Sequence, residues 1–406
     1  MTEAAHDGSD YSVIQDREEY FDAVDTISAG SGPIAIDAER ASGYRYSQRA
    51  YLIQVYRRDS GVFLFDPPAI GGFGELQEAI AEEEWVLHAA SQDLTCLREV
   101  GLNPDRIFDT ELAARLAGMP RVGLGTVVEE LLGVHLAKEH SAADWSRRPL
   151  PEPWLRYAAQ DVELLVDVRD RLDEQLIESG KRDFAEQEFH ATLERELVVV
   201  RAEPWRRLSG LHSLRKPRNL AVARALWLAR DAYAREIDTA PGRLVPDSAL
   251  VAAARALPAS KRELLGLKEF TGRASRSQAD RWWQALAEGL AEEDLPAVRA
   301  AGDGGPPPPR AWAERNPEAD ARLRAARAAI IELAENLELP VENLLTPDYL
   351  RRVAWEPPAS TDRDSIAQAL RDLGAREWQI GTTAQPIADA FVQALQTPEN
   401  PAEPVS

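Results

Sequence analysis

Hydrophobic positions in the first two hundred residues fall in short runs. Residues 34–36, 51–55 and 62–65 are apolar, partly β-branched and bounded by Gly, Ser, Asp and Pro, the pattern of successive strands in a meander. Residues 76–81 take helical spacing, 85–88 return to strand, and 91–100 read as a helix closed by Gly101. After a short strand at 107–109 the pattern turns helical. From Tyr157 onward Leu165, Val168, Leu172 and Leu176 recur at helical spacing, which predicts one long closing helix. The alternation is that of an α/β domain.

Strand signals stop at Trp205. Ala-rich and Leu-rich periodic segments follow, punctuated by Pro217, Pro241, Gly242, Pro246 and Pro258, as in a compact helical unit. Residues 302–310, with four consecutive prolines, cannot build a core and read as an extended, semi-rigid linker. Further helices are predicted at 319–337, 341–353, 364–373 and 384–395, before a Pro- and Glu-rich tail. The expected organisation is an α/β domain over 1–200 with its core at about 30–180, a helical domain over 201–295, a linker over 296–310, a second helical domain over 311–398 and a tail over 399–406.

Composition narrows this picture. With 406 residues, 44% of them hydrophobic, the chain can bury two or three separate cores. No apolar run approaches the roughly eighteen residues a membrane span needs, and the acidic amino terminus lacks the apolar core of a signal peptide, so a cytoplasmic protein without membrane attachment is expected. One cysteine and two methionines exclude an internal disulfide, a zinc-finger framework or an iron–sulfur framework, and Cys96, between Thr95 and Leu97, reads as core packing. A net charge of −21 argues against a nucleic-acid partner until it is divided. Residues 205–290 carry 16 Lys and Arg against 8 Asp and Glu, a net +8, leaving −29 for the remainder. Such an island is either a solvated helical surface or a phosphate-binding face.

Three acidic segments carry the candidate chemistry. Asp37 and Glu39 end the first predicted strand two residues apart and so project from one face. Like charges that close repel unless a cation holds them, which suits a divalent metal, although acidic pairs at solvated strand ends are common. In HAASQDLTCL (88–97) a strand through His88 places Asp93 in the first turn of the next helix, near the sheet's carboxyl edge; complementing the helix dipole is the simpler role for such a residue. In YAAQDVELL (157–165), Tyr157 and Asp161 are four apart and share a helix face, so a phenol stands one turn from a carboxylate; a core tyrosine is the alternative. His88, His135 and His140 show no ligand spacing, and the glycines at 123 and 125 lack the preceding strand of a dinucleotide site.

Taken in order, IAIDAE (34–39), HAASQDLTCL and YAAQDVELL resemble the three motifs of the 3′–5′ exonuclease family named for its four acidic residues, in the branch with tyrosine in the last motif. IFDTELAARLAG (107–118) and DWSRRPLP (144–151) are similar to connecting segments of bacterial ribonuclease D. Where the first motif often reads Asp-Thr-Glu, Ala38 stands here, removing a hydroxyl but no carboxylate. The resemblance implies a ribonuclease H-like α/β fold in which Asp37, Glu39, Asp93 and Asp161 bind two Mg²⁺ or Mn²⁺ ions and Tyr157 positions the attacking water, releasing nucleoside 5′-monophosphates. Lys138, Trp145 and Arg148, just ahead of the third motif, are candidate contacts to the substrate backbone, with a core role the equal alternative for Trp145.

Residues 205–290 resemble the helicase-and-RNase-D C-terminal (HRDC) domain, and the basic island coincides with that resemblance. Arg215, Lys216, Arg218 and Arg273 are its candidate phosphate contacts. The pair Trp282 and Trp283 offers base stacking, but one of two neighbouring helix aromatics is expected in the core. The segment LELPVENLLTPDYLRRVAW (337–355) looks like a second, diverged HRDC-like domain. The expected fold is thus an α/β exonuclease domain followed by two all-α bundles, and the expected activity is 3′-to-5′ trimming of single-stranded RNA ends, as in maturation of tRNA or other stable RNA. A single-stranded DNA exonuclease and a non-catalytic RNA-binding scaffold are the rival readings.

Overall fold

The computed structural model describes residues 11–136, 142–195, 202–298 and 305–396. Its amino-terminal part is a six-stranded mixed sheet of β1 (Val13–Ile14), β2 (Ser31–Arg40), β3 (Ala50–Arg58), β4 (Gly61–Phe65), β5 (Trp85–Leu87) and β6 (Ile107–Asp109), in the order β1-β4-β3-β2-β5-β6. The expected meander is β2-β3-β4, paired antiparallel, while β1 joins β4, and β5 and β6 continue from β2, all in parallel. The helices here are α1 (Arg17–Ser28), α2 (Pro67–Ile70), α3 (Gly74–Ile80), α4 (Leu94–Glu99), α5 (Thr110–Leu116), α6 (Leu124–Leu132), α7 (Glu152–Glu163), α8 (Leu165–Glu178) and α9 (Arg182–Glu194).

Alternation along β2 divides its side chains between two environments. Ile34, Ile36 and Ala38 enter the main core with Ile53, Val55 and Phe65. Ala35, one register off, packs with Val86, Val162, Leu165 and Val166 beneath α7 and α8. Asp37 and Glu39 continue this second register, so the face that α7 covers is the face that carries the acidic pair.

The single closing helix expected from Tyr157 is two helices, broken at Leu164 (φ −98°, ψ −3°). Helical spacing runs through the break, but the partners change. Leu155, Ala158 and Ala159 pack with Tyr51, Leu52, Leu64 and Trp145, whereas Val168, Leu172 and Leu176 belong to the main core. One straight rod does not reach both patches. In the second motif the strand ends at Leu87, a 3₁₀ turn (Ala90–Gln92) follows, and Asp93 stands at its junction with α4 rather than inside a helix.

The middle unit consists of α10 (Pro217–Glu236), α11 (Pro241–Leu244), α12 (Asp247–Ala256), α13 (Lys261–Leu265), α14 (Arg273–Ser277) and α15 (Ala279–Ala291) around its own core, which includes Trp205, Leu226, Leu250, Phe270 and Trp282. It docks on the loop between β2 and β3. Ala240 N–H donates to the Tyr44 carbonyl (2.9 Å), Arg243 Nε to the Gly43 carbonyl (2.8 Å), and Asp238 accepts from Ser47 N–H (2.8 Å).

The last unit comprises α16 (Trp312–Arg315), α17 (Pro317–Asn336), α18 (Val341–Leu344), α19 (Pro347–Trp355), α20 (Arg363–Asp372) and α21 (Glu377–Gln396). The helix expected at 341–353 is divided between α18 and α19 because Pro347 opens a new helix and Leu345 ahead of it is extended. The tail 399–406 and part of the linker lie outside the described residues. This unit shares the main hydrophobic core with the sheet domain. Trp378 stacks on Phe184 at 4.5 Å, and its Nε1 donates to buried Glu188, which also pairs with Arg376. Lys181, buried nearby, donates from Nζ to the Leu116 carbonyl (2.9 Å) and to the Glu338 carbonyl (3.5 Å).

Replacing Glu188 with Ala strips buried Trp378 Nε1 and Arg376 of their shared acceptor. A loss of about 3 kcal/mol is expected by urea denaturation; an unchanged midpoint and slope would show that this contact does not hold the last unit in place.

Candidate active site

Asp37 and Glu39 project from the carboxyl end of β2 toward α7, which presents Asp161. One carboxylate oxygen from each of the three lies within 4.8 Å of the other two. Asp93 joins them on the wall of a cleft of about 370 Å³, together with Arg40, His88, Gln92 and Tyr157. Its side chain is only 8% exposed, and Arg40 Nη2 lies 3.6 Å from its Oδ1. The four carboxylates and the tyrosine singled out in the sequence therefore meet in one place, although they come from one strand, one junction and one helix.

Each is positioned by a local cause. Gln54 lies directly opposite Asp37 on β3 and donates from its buried amide to Asp37 Oδ2 (3.5 Å). Asp93 is placed by the preceding turn, where Ala89 adopts a left-handed conformation (φ 61°) uncommon for a residue with a Cβ. That turn is held by Asp109. The Asp109 carboxylate accepts from the N–H groups of Ala89 (3.0 Å) and Ala90 (2.9 Å) while also capping α5 through Glu111 and Leu112. Burial pushes the Asp109 carboxyl up to about 6, against these backbone donors that favour its charged form. His88 Nδ1 lies 2.9 Å from Thr110 Oγ1, and burial lowers its pKa to about 4, so it is neutral and structural.

The electrostatics of the cluster suit a cation. Burial and then mutual repulsion hold Glu39 well above the usual carboxylate range. Burial and the charge of Asp37 do the same for Asp93 and Asp161, and burial also raises Asp37. Converging hard oxygen donors, with Arg40 beside Asp93 as the one cation at hand, fit Mg²⁺ or Mn²⁺ rather than a sulfur- or imidazole-seeking metal. Tyr157 hydrogen-bonds Asp161; burial first, then the charges of Asp161, Glu39 and Asp37, raise its pKa, so its phenol stays protonated as a donor at neutral pH.

The proposed substrate contacts fare differently. Trp145 is fully buried, with its ring 5.3 Å from Trp154 and 6.5 Å from Tyr157, and is a core residue behind the tyrosine. Arg148 is likewise structural. Its Nε and Nη2 grip Asp66 at 2.6 and 2.9 Å, and its remaining donors bind the Tyr51, Trp145 and Arg147 carbonyls, leaving none for a phosphate. Arg218 Nη1 is held by the Glu292 carbonyl (2.5 Å) at the end of α15. Arg215, Lys216 and Arg273 are exposed on the middle unit, and Lys138 lies outside the described residues. Trp282 is buried, with Trp283 packed beside that core. Cys96 is core, with its Sγ 3.1 Å from the Asp93 carbonyl. The sequence reading missed Gln54, Asp109 and Arg40. Asp109 sits within one of the motif-like segments and Arg40 directly follows the first motif, yet neither periodicity nor spacing distinguishes them from ordinary cap and surface residues.

Removing the repulsion has a measurable sign. All four carboxyls are raised, so the metal-free fold holds protons that the unfolded chain has released, and its stability falls as pH rises through the window above the ordinary carboxylate range. A divalent ion displaces those protons. The thermal midpoint should therefore gain more from Mn²⁺ at about pH 8 than at about pH 5.5; an equal or smaller gain at the higher pH would count against a metal held by these groups.

Comparison with known proteins agrees with this geometry. A model of the 3′–5′ exonuclease family matches residues 11–177, one of the HRDC domain matches 219–286, and one of the 3′ to 5′ exonuclease C-terminal domain matches 305–391. Ribonuclease D of Cronobacter turicensis is 35% identical over 58% of this chain and 64% of its own length, just under two thirds. Ribonuclease D of Pseudomonas paraeruginosa is 32% identical over 66% of this chain and 76% of its own. The crystal structure of Escherichia coli RNase D, an exoribonuclease involved in structured RNA processing, superposes with a TM-score of 0.69 at 25% identity, covering 96% of this chain and 99% of that one. No helix among the described residues is long and apolar enough to cross a membrane. The chain belongs to the ribonuclease D family of 3′–5′ exoribonucleases.

Proposed function

We propose that the cleft hydrolyses the terminal phosphodiester of a single-stranded RNA 3′ end, one nucleotide at a time, with Asp37, Glu39, Asp93 and Asp161 holding two Mg²⁺ or Mn²⁺ ions. The observation that carries this reading is the convergence of Asp37, Glu39 and Asp161 oxygens within 4.8 Å. Bound there, the ions supply Lewis-acid stabilisation of the charge that builds on the attacked phosphate and on its departing oxygen.

The chain's own residues supply position. Tyr157 keeps its one O–H proton, given to Asp161 in the metal-free cleft; with an ion on that carboxylate the O–H would donate to the attacking water instead and orient it in line with the scissile bond. Water adds to phosphorus, the bond to the 3′-oxygen of the preceding nucleotide breaks, and that oxygen takes up a proton. The products are a nucleoside 5′-monophosphate and an RNA one nucleotide shorter with a free 3′-hydroxyl. Both helical units pack on the catalytic domain, which supports a funnel that admits a single strand and stops at paired RNA. Arg215, Lys216 and Arg273, exposed on the middle unit, are the phosphate contacts retained in this proposal. Precursors of tRNA or other stable structured RNA in the cytoplasm are the corresponding substrates.

Incubation of a 5′-labelled single-stranded RNA with Mg²⁺ or Mn²⁺ should give stepwise 3′ shortening that stops at a stable hairpin. EDTA and Asp37→Asn should each suppress it by roughly 10³-fold or more, and Tyr157→Phe should lower kcat by about 10²-fold with Mn²⁺ binding retained. Intact RNA under every metal, in a protein that still binds it, would instead identify a scaffold. Faster cleavage of the matched DNA would move the substrate class.

A further inference from the structure

Strand alternation sends Asp37 and Glu39 into the cleft and Ile36 and Ala38 into the opposite core, so Arg40 belongs on the far side with Ala38. From there its long side chain carries the guanidinium to the cleft, which Ala38 also lines. The ladder is irregular here: Glu39 faces Leu52 and Arg40 faces Ala50, so the residue without a partner, Tyr51, is on β3, and the alternation of β2 itself is kept.

The side chain so placed is loosely held. Its Nη2 stands 3.6 Å from Asp93 Oδ1, longer than a close charge-assisted hydrogen bond, and it remains 27% exposed. Arg148 shows the contrast, with its guanidinium gripped by a carboxylate and three carbonyls. Among the described residues lining the cleft, Arg40 is the one lysine or arginine. Its present partner is a carboxylate proposed to bind metal. An ion on Asp93 neutralises the charge that attracts Arg40, and the substrate phosphate then offers the nearest new anion. Guanidinium geometry suits two phosphate oxygens at once.

We propose that Arg40 is an exchangeable cation, paired with Asp93 until a divalent ion occupies the carboxylates and then turned to a non-bridging oxygen of the RNA phosphate. This rests on reading the cleft as a metal-dependent nuclease site. It makes Arg40 a competitor of the metal and a partner of the RNA, so one substitution shifts the two affinities in opposite directions.

The test uses full-length Arg40→Gln and Arg40→Lys proteins. Mn²⁺ binding without RNA is followed by electron paramagnetic resonance of the free ion, and KM and kcat for a single-stranded RNA are measured at saturating Mn²⁺. Arg40→Gln should bind Mn²⁺ about threefold more tightly and show a KM raised about tenfold. Arg40→Lys, which keeps the charge but not the planar fork, should fall between it and wild type in KM and stay near wild type in Mn²⁺ affinity. Weaker Mn²⁺ binding in Arg40→Gln, or an unchanged KM at saturating metal, overturns the exchange. If Arg40→Gln does not fold, a wild-type KM in Arg40→Lys overturns the phosphate contact. Wild-type protein that neither binds Mn²⁺ nor shortens RNA overturns the nuclease reading, and the role of Arg40 with it.

Discussion

Three carboxylates with oxygens inside 4.8 Å of one another repel, and the fold must hold its backbone against that repulsion wherever no cation intervenes. The acidic pair rides on β2, a central strand hydrogen-bonded to β3 on one side and β5 on the other. The third carboxylate rides on α7, whose Leu155, Ala158 and Ala159 are packed against the sheet. Neither element can retreat without opening a core. Burial first, and then this repulsion, therefore show as raised carboxyl pKa values rather than being relieved by movement, and a divalent cation bound there would offset both. Metal affinity, in this view, is prepared by packing remote from the carboxylates themselves.

The fourth carboxylate is held by a different device. Asp93 depends on a left-handed Ala89, which depends on two hydrogen bonds to Asp109, which is itself the cap of α5. A single buried carboxylate thus links the β6 edge of the sheet to the cleft. Arg148 performs a comparable service for the segment before α7 by tying Asp66 to the Tyr51 carbonyl behind the cleft wall.

The helical units attach by different chemistry. The last one shares the main core and adds buried polar ties at Glu188 and Lys181, so it is part of the catalytic domain's own packing. The middle one keeps a separate core and meets the catalytic domain through hydrogen bonds to the loop that follows β2. Those contacts, including Tyr46 to Asp231 (3.1 Å) and Tyr51 to Asp238 (3.3 Å), connect its placement to the strand that carries Asp37 and Glu39.

Legibility in the sequence followed the range of the interaction involved. The β2-β3-β4 meander, the helical nature of everything beyond Trp205, the Asp37–Glu39 pair on one strand face and the Tyr157–Asp161 pair on one helix face rest on periods of two and of three to four residues, which neighbouring positions encode. Their convergence with Asp93 was inferred from ordered motifs, not from any local pattern. The break at Leu164 was hidden because helical spacing continues through it, and only the two separate patches on the sheet require it. The structural role of Arg148, and the choice between the two readings of Trp145, were hidden for the same reason: the sequence shows a cation and an aromatic ring, but their partners lie on other segments. Arg40 is the sharpest case, because alternation places it with Ala38 and only the approach of Asp93 from another segment gives its guanidinium a partner at the cleft. The sequence by itself determined which residues share a face, since that follows from backbone geometry. Tertiary structure decided which faces meet and which charges are already taken, because burial and pairing depend on residues distant along the chain.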